Sequence, residues 1–126
     1  MTERELLERT KQFALRIFKL VGALPQTIQG RAVAAQLFRS GTSVAANYRA
    51  ACRARSKPEI VAKPGVVEEE ADESAFWLEL IMETNLLSAT KVKPLLSEAS
   101  EIVAIIASSR KTAAKSQIAN RKSQIQ

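Results

Sequence analysis

Apolar residues recur along the chain at intervals of three and four, the spacing that lines one face of an α-helix, and no strand-like alternation persists. The first such stretch predicts a helix over 3–24. Phe13, Ile17, Leu20 and Leu24 form its inward stripe, Thr2 and Glu5 stand at capping-box spacing, and Pro25 stops it. The second predicts a helix over 27–54, with Val33, Leu37, Ser40, Val44, Asn47, Tyr48 and Ala51 on its inner arc. The third, over 57–88, follows Ser56, with Glu59 completing a second capping box and Pro58 tolerated in the first turn. Ile60, Val67, Ala71, Ser74, Ala75, Leu78, Ile81 and Met82 make its core stripe. The fourth, over 94–114, opens on Pro94 and turns Leu95, Ala99, Ile102, Ile106 and Ser109 inward. Residues 115–126 repeat the unit KSQI and read as a basic, low-complexity, disordered tail. Long helices joined by short loops predict an all-α, antiparallel up-down four-helix bundle over residues 1–114.

Two details qualify that pattern. Pro64, with Gly65 beside it, predicts a kink in the third helix or an effective start near 66, because an interior proline removes a backbone hydrogen bond. Ser40, Gly41, Ser43 and Ala45 are small and permit close approach of a neighbouring helix. A buried Asn47 needs hydrogen-bond partners and more often fixes helix register than performs chemistry.

The composition removes most enzyme mechanisms. The chain has 126 residues, room for one domain, with 46% hydrophobic and 25% charged residues, the balance of a folded protein. There is no histidine, so His-dependent triads, the HExxH zinc site and the Glu-x-x-His di-iron site are excluded. The single cysteine, Cys52, cannot form an intrachain disulfide and reads as a partly buried filler. No run of eighteen apolar residues predicts a membrane span, and MTERELLERTKQ lacks an apolar signal core, so a cytoplasmic location is expected.

Charge is unevenly distributed behind the net value of +6. Residues 1–63 carry 12 basic and 4 acidic side chains, residues 64–109 carry 2 and 9, and residues 110–126 carry 5 and none. A basic front half and tail attract polyanions, of which nucleic acid is the first candidate. On a helical wheel Arg31, Arg39, Arg49 and Arg53 fall within about 80° and span about 33 Å. No Asp or Glu interleaves with them. Planar guanidinium forks bind phosphate oxygens bidentately, so this ridge, with Lys57 and Lys63 nearby, is the candidate nucleic-acid-binding set. No aromatic residue interleaves with the arginines on this reading, which predicts backbone-directed binding without base stacking. The same ridge could instead meet an acidic neighbour.

The third helix has a second apolar arc, Phe76, Trp77, Leu80 and Leu87, and a helix with two apolar faces has two surfaces to bury. We expect the second arc to form an oligomer interface, against the alternative that Phe76 and Trp77 cover a core edge. The cluster Glu68, Glu69, Glu70, Asp72 and Glu73 could suggest a Mg²⁺- or Mn²⁺-dependent acid/base site centred on Glu69 and Glu73. Pairing of these carboxylates with arginines of a neighbouring helix or subunit is expected instead, since they lack the cleft and supporting groups that catalysis needs. No catalytic residue, metal or cofactor is therefore assigned.

The blocks RSGTSVAANYRAACRARS (39–56) and EEEADESAFWLEL (68–80) closely resemble the two signature blocks of the four-helix-bundle proteins of the 23S ribosomal RNA intervening-sequence family. The resemblance covers residues 1 to about 114 and extends in fold to the accessory protein of diversity-generating retroelements. It implies a cytoplasmic bacterial bundle that assembles into a homo-oligomeric ring, usually a homopentamer. It further implies a non-enzymatic, nucleic-acid-associated role. The expected function is phosphate-directed binding of RNA or DNA, and the alternative is a protein-interaction scaffold with no direct nucleic-acid role. Pro64 and the repetitive tail depart from the family pattern.

Overall fold

The computed structural model describes residues 1–53 and 63–125. They form four helices, α1 (Glu3–Gly22), α2 (Ile28–Arg53), α3 (Lys63–Glu83) and α4 (Ala89–Ile125), with no strand among the described residues. The N-terminus of α1 is closed by the expected capping box. Thr2 Oγ1 accepts the Glu5 N–H at 3.1 Å, and the Glu5 carboxylate accepts the Thr2 N–H at 3.2 Å. Thr27 does the same work for α2, its hydroxyl oxygen accepting the Gly30 N–H at 3.0 Å.

The helices pack in chain order and antiparallel. α1 lies on α2, α2 on α3 and α3 on α4, with a thinner seam between α4 and α1. Register follows from a few pairs. A Cβ at Gly41 would lie 2.8 Å from two carbons of Ile17, so this glycine lets α1 and α2 approach closely. Between α2 and α3, Ser74 Oγ lies 2.9 Å from Ser40 Oγ, and both residues are fully buried. The Glu70 and Leu37 carbonyls lie 2.8 and 3.3 Å from the Ser74 and Ser40 hydroxyls respectively, so this polar pair in an apolar seam is satisfied. Leu6, Phe13, Ile17, Leu37, Val44, Val67, Leu78, Ile81, Ile102 and Ile106 dominate the core. Every core-stripe residue expected for the first three helices is buried or half-buried where described.

The helix boundaries differ from expectation for local reasons. α3 ends at Glu83, not 88, because Asn85 takes a left-handed conformation (φ 58°). The Leu86 N–H then reaches the Ile81 carbonyl at 3.0 Å and the Asn85 N–H the Met82 carbonyl at 3.2 Å, a Schellman closure. Asn85→Gly removes the Cβ cost of that conformation and is expected to stabilise the fold by about 0.5–1 kcal/mol, read as a raised urea midpoint. Pro64 does not delay α3 to residue 66, since the described helix is continuous from Lys63 through the proline. The Ser56–Glu59 capping box, Pro58 and Ile60 fall outside the described residues.

α4 begins at Ala89, so Pro94 lies inside it rather than in its first turn. Pro94 and Thr90, whose carbonyl loses a donor, are both exposed, and water can take the place of that bond. The helix also runs on to Ile125, where a disordered tail from 115 was expected. KSQIANRKSQI contains no proline or glycine to stop it. Burial nevertheless ends earlier: among the described residues Ile106 is the last buried one, and every side chain from Ser108, with Ser109 among them, through Lys122 is exposed.

Candidate nucleic-acid interface

The four ridge arginines all project from the solvent side of α2, but they are not equivalent. Arg39 reaches across to α3, donating to Glu70 at 3.0 Å and to Glu73. The Glu73 carboxylate also accepts the Trp77 indole N–H at 3.0 Å. That indole bond first, and then Arg39, hold the Glu73 carboxyl below the ordinary glutamate range, and the hydrogen bond to Glu73 raises Arg39 further. Glu68 pairs with Arg110 of α4. Glu68, Glu70 and Glu73 thus fasten α3 to its neighbours by the expected pairing with arginines, while Glu69 and Asp72 of the same cluster are exposed. Arg31 is also engaged, donating to the Gln26 carbonyl at 2.6 Å across the α1–α2 turn.

Arg49 and Arg53 remain. They face an open groove of about 940 Å³ between α1 and α2, lined also by Arg4, Lys11, Thr42 and Cys52. No hydrogen bond or ion pair engages the Arg4, Lys11, Arg49 or Arg53 side chains among the described residues. Glu3 and Glu8 stand at the groove's edge, leaving a surplus of cations. Arg4 and Lys11 were not among the expected binding residues. The α2 wheel alone cannot show that the outward face of α1 lies beside its arginines. Both sit on that outward face, seven residues apart, which is the signal that could have found them. Lys57 falls outside the described residues. Lys63 opens α3 at the backbone level, with its side chain outside them.

A third α1 cation is structural. Arg9 crosses the thin α1–α4 seam with a bidentate pair of 2.7 Å bonds to Glu98 and a 3.0 Å bond to Glu101. The Arg9 hydrogen bonds draw the Glu98 carboxyl below its ordinary range, against the opposing effect of burial. Bidentate geometry makes this the strongest kind of surface pair.

The expected interface residues divide in the same way. Phe76 is 52% exposed on the outward face of α3, with its ring 5.0 Å from Trp77 in an edge-on contact. Trp77, Leu80 and Leu87 are half-buried against the core. Sequence reasoning missed a second aromatic pair, Phe18 of α1 and Phe38 of α2, whose ring centroids are 5.1 Å apart. Among the described residues no cluster of Asp, Glu or Cys could hold a metal ion, and no helix is long and apolar enough to cross a membrane.

Known proteins share both the sequence pattern and the fold. The sequence profile of the 23S rRNA-intervening sequence protein family matches residues 2–108. A crystal structure of a protein of unknown function from the S23 ribosomal protein family of Bacteroides thetaiotaomicron VPI-5482 is similar in fold, with a TM-score of 0.76 at 30% identity. The similarity covers 83% of this chain and 97% of that one. No curated protein matches the chain.

Proposed function

The chain belongs to the 23S rRNA-intervening sequence protein family, and from that premise we propose that it is a non-catalytic, oligomeric, cytoplasmic protein that binds RNA or DNA through phosphates. The observation that carries this reading is the cationic groove of Arg4, Lys11, Arg49 and Arg53, whose side chains are unpaired among the described residues. Cations held close together on two rigid helices repel one another unless an anion lies between them, and a run of phosphates supplies several. The projecting end of α4 adds Lys111, Lys115, Arg121 and Lys122 with no acidic residue between them. The second apolar face of α3 supports assembly into a ring, with a pentamer as the expected form.

Binding of this kind is weakly selective for sequence and falls steeply with salt. Arg49→Glu with Arg53→Glu is expected to weaken RNA or DNA affinity at least tenfold in about 0.1 M salt and to lower the logarithmic salt slope by about 2. Both side chains are exposed, so helicity and thermal stability should hold. Undiminished affinity in the double variant removes the groove from the binding surface. Removal of residues 115–126, whose described side chains from Lys115 to Lys122 are exposed, separates the groove from the α4 extension.

A further inference from the structure

The surface carries two aromatic patches of opposite electrostatic setting. The first is Leu15, Phe18 and Phe38, exposed by 52%, 61% and 39% on the outer side of α1 and α2. From residue 9 to residue 53 the sequence contains eight Lys or Arg and no Asp or Glu, so Lys11, Lys19 and Arg31 are the charges around this patch. The second is the α3 face, where Phe76 stands out between half-buried Trp77 and Leu80. From residue 64 to residue 90 there are seven Asp or Glu and no Lys or Arg. Exposed Glu69, Asp72, Glu79 and Glu83 therefore surround Phe76.

Large aromatic side chains in water cost free energy that a partner surface recovers, and among the described residues both patches stay exposed. Neither patch is suited to its own copy. Basic rim against basic rim repels, and so does acidic rim against acidic rim. The two are suited to each other. They lie on different sides of the bundle, one on α1–α2 and one on α3, so one chain cannot join them. We propose that the Leu15–Phe18–Phe38 patch of one copy docks on the Phe76–Trp77 face of the next, a head-to-tail contact between copies of this chain. This rests on the oligomeric part of the proposed function and assigns the missing half of its interface. A repeated head-to-tail contact closes into a ring when its rotation divides a full turn. The cationic groove extends toward the other end of α1: Arg4 is about 16 Å along the helix axis from Leu15, and Lys11 borders both surfaces.

The test uses two single variants of the full chain, Phe18→Glu and Phe76→Glu, at exposed positions where helicity by circular dichroism should match the wild type. Light scattering on each should show a monomer of 13.8 kDa, against an oligomer for the wild type. Each variant keeps one intact face, so mixing them in equal amounts should give a dimer of one copy of each and nothing larger. Two results overturn the face assignment while leaving oligomerisation standing: either variant alone remaining oligomeric like the wild type, or two dissociated variants that do not pair on mixing. A monomeric wild type at 0.1 mM overturns the oligomeric reading itself. Nucleic-acid binding is read separately and can survive either failure.

Discussion

Phe13→Ala is expected to lower folding stability by about 3–5 kcal/mol, the usual cost of emptying a fully buried aromatic site. Phe13 has no exposed surface and sits midway along α1, one turn from Ile17, in the stripe that fastens this helix to the core. The thinner seam between α1 and α4 leaves this helix room to relax toward the cavity, so the loss should lie toward the lower end of the range. A chain of this size has roughly 6–19 kcal/mol of stability in all, and the variant should therefore melt at least about 10 °C lower. Phe18→Ala, one turn further on but 61% exposed, should cost less than about 1 kcal/mol. Urea unfolding followed by circular dichroism separates the two at a protein concentration where light scattering finds both variants and the wild type monomeric, since association through Phe18 would otherwise shift the midpoint. Equal losses in the two variants would mean that α1 is rotated about its axis, with Phe13 no deeper in the core than Phe18.

The bundle was legible because its evidence is periodic. Val33, Leu37, Ser40 and Val44 on α2, and Val67, Ala71, Ser74 and Leu78 on α3, are buried as the 3.6-residue period requires. Errors fell at helix ends, where one residue outweighs a pattern. Asn85 stops α3 by its own backbone angle, which apolar spacing does not report. Pro94 misled in the opposite direction: proline favours first turns, but Leu95 and Val92 bury on one stripe and carry the helix through it. The projecting end of α4 is helical because nothing in its sequence stops a helix, although its side chains from Ser108 to Lys122 are exposed.

The candidate site was legible only in part, and the reason is geometric. Four arginines on one arc of α2 look alike on a wheel, yet Arg39 is matched by Glu70 and Glu73 of the next helix and Arg31 by a carbonyl in the turn. Which cations remain unpaired depends on which helix lies alongside, and that is tertiary information. The same holds for Trp77. Its indole is tied to Glu73, so part of the second apolar arc on α3 belongs to the fold's own edge, and Phe76 remains as its outward aromatic. Phe18 and Phe38 belong to two different helices, and the aromatic patch they make exists only once α1 and α2 are side by side.

Gly30→Ala should cost about 3 kcal/mol, while the same change at Gly22 should stabilise the chain by about 0.5–1 kcal/mol. At Gly30 a Cβ would stand 1.9 Å from the Pro25 carbonyl oxygen, and backbone cannot yield as the far end of a side chain can. The turn there is fixed from several directions. Thr27 caps α2 through the Gly30 N–H, its carbonyl accepts the Arg31 N–H at 2.9 Å, and the Arg31 guanidinium returns to the Gln26 carbonyl. Leu24, buried just before the turn, anchors its other end in the core. Relieving the clash means giving up the cap, worth about 1 kcal/mol, and also shifting the first turn of α2 or withdrawing Leu24. At Gly22, the last residue of α1, a Cβ meets nothing within 4 Å and the backbone is already helical, so alanine only restricts the unfolded chain. Thermal melts of the two variants should move in opposite directions from the wild type, by about 10 °C down and about 3 °C up. If Gly30→Ala melted with the wild type, the Pro25–Gly30 turn would have to open by more than 1 Å without loss, and α1 and α2 would be joined loosely rather than by a turn that its caps and Leu24 hold shut.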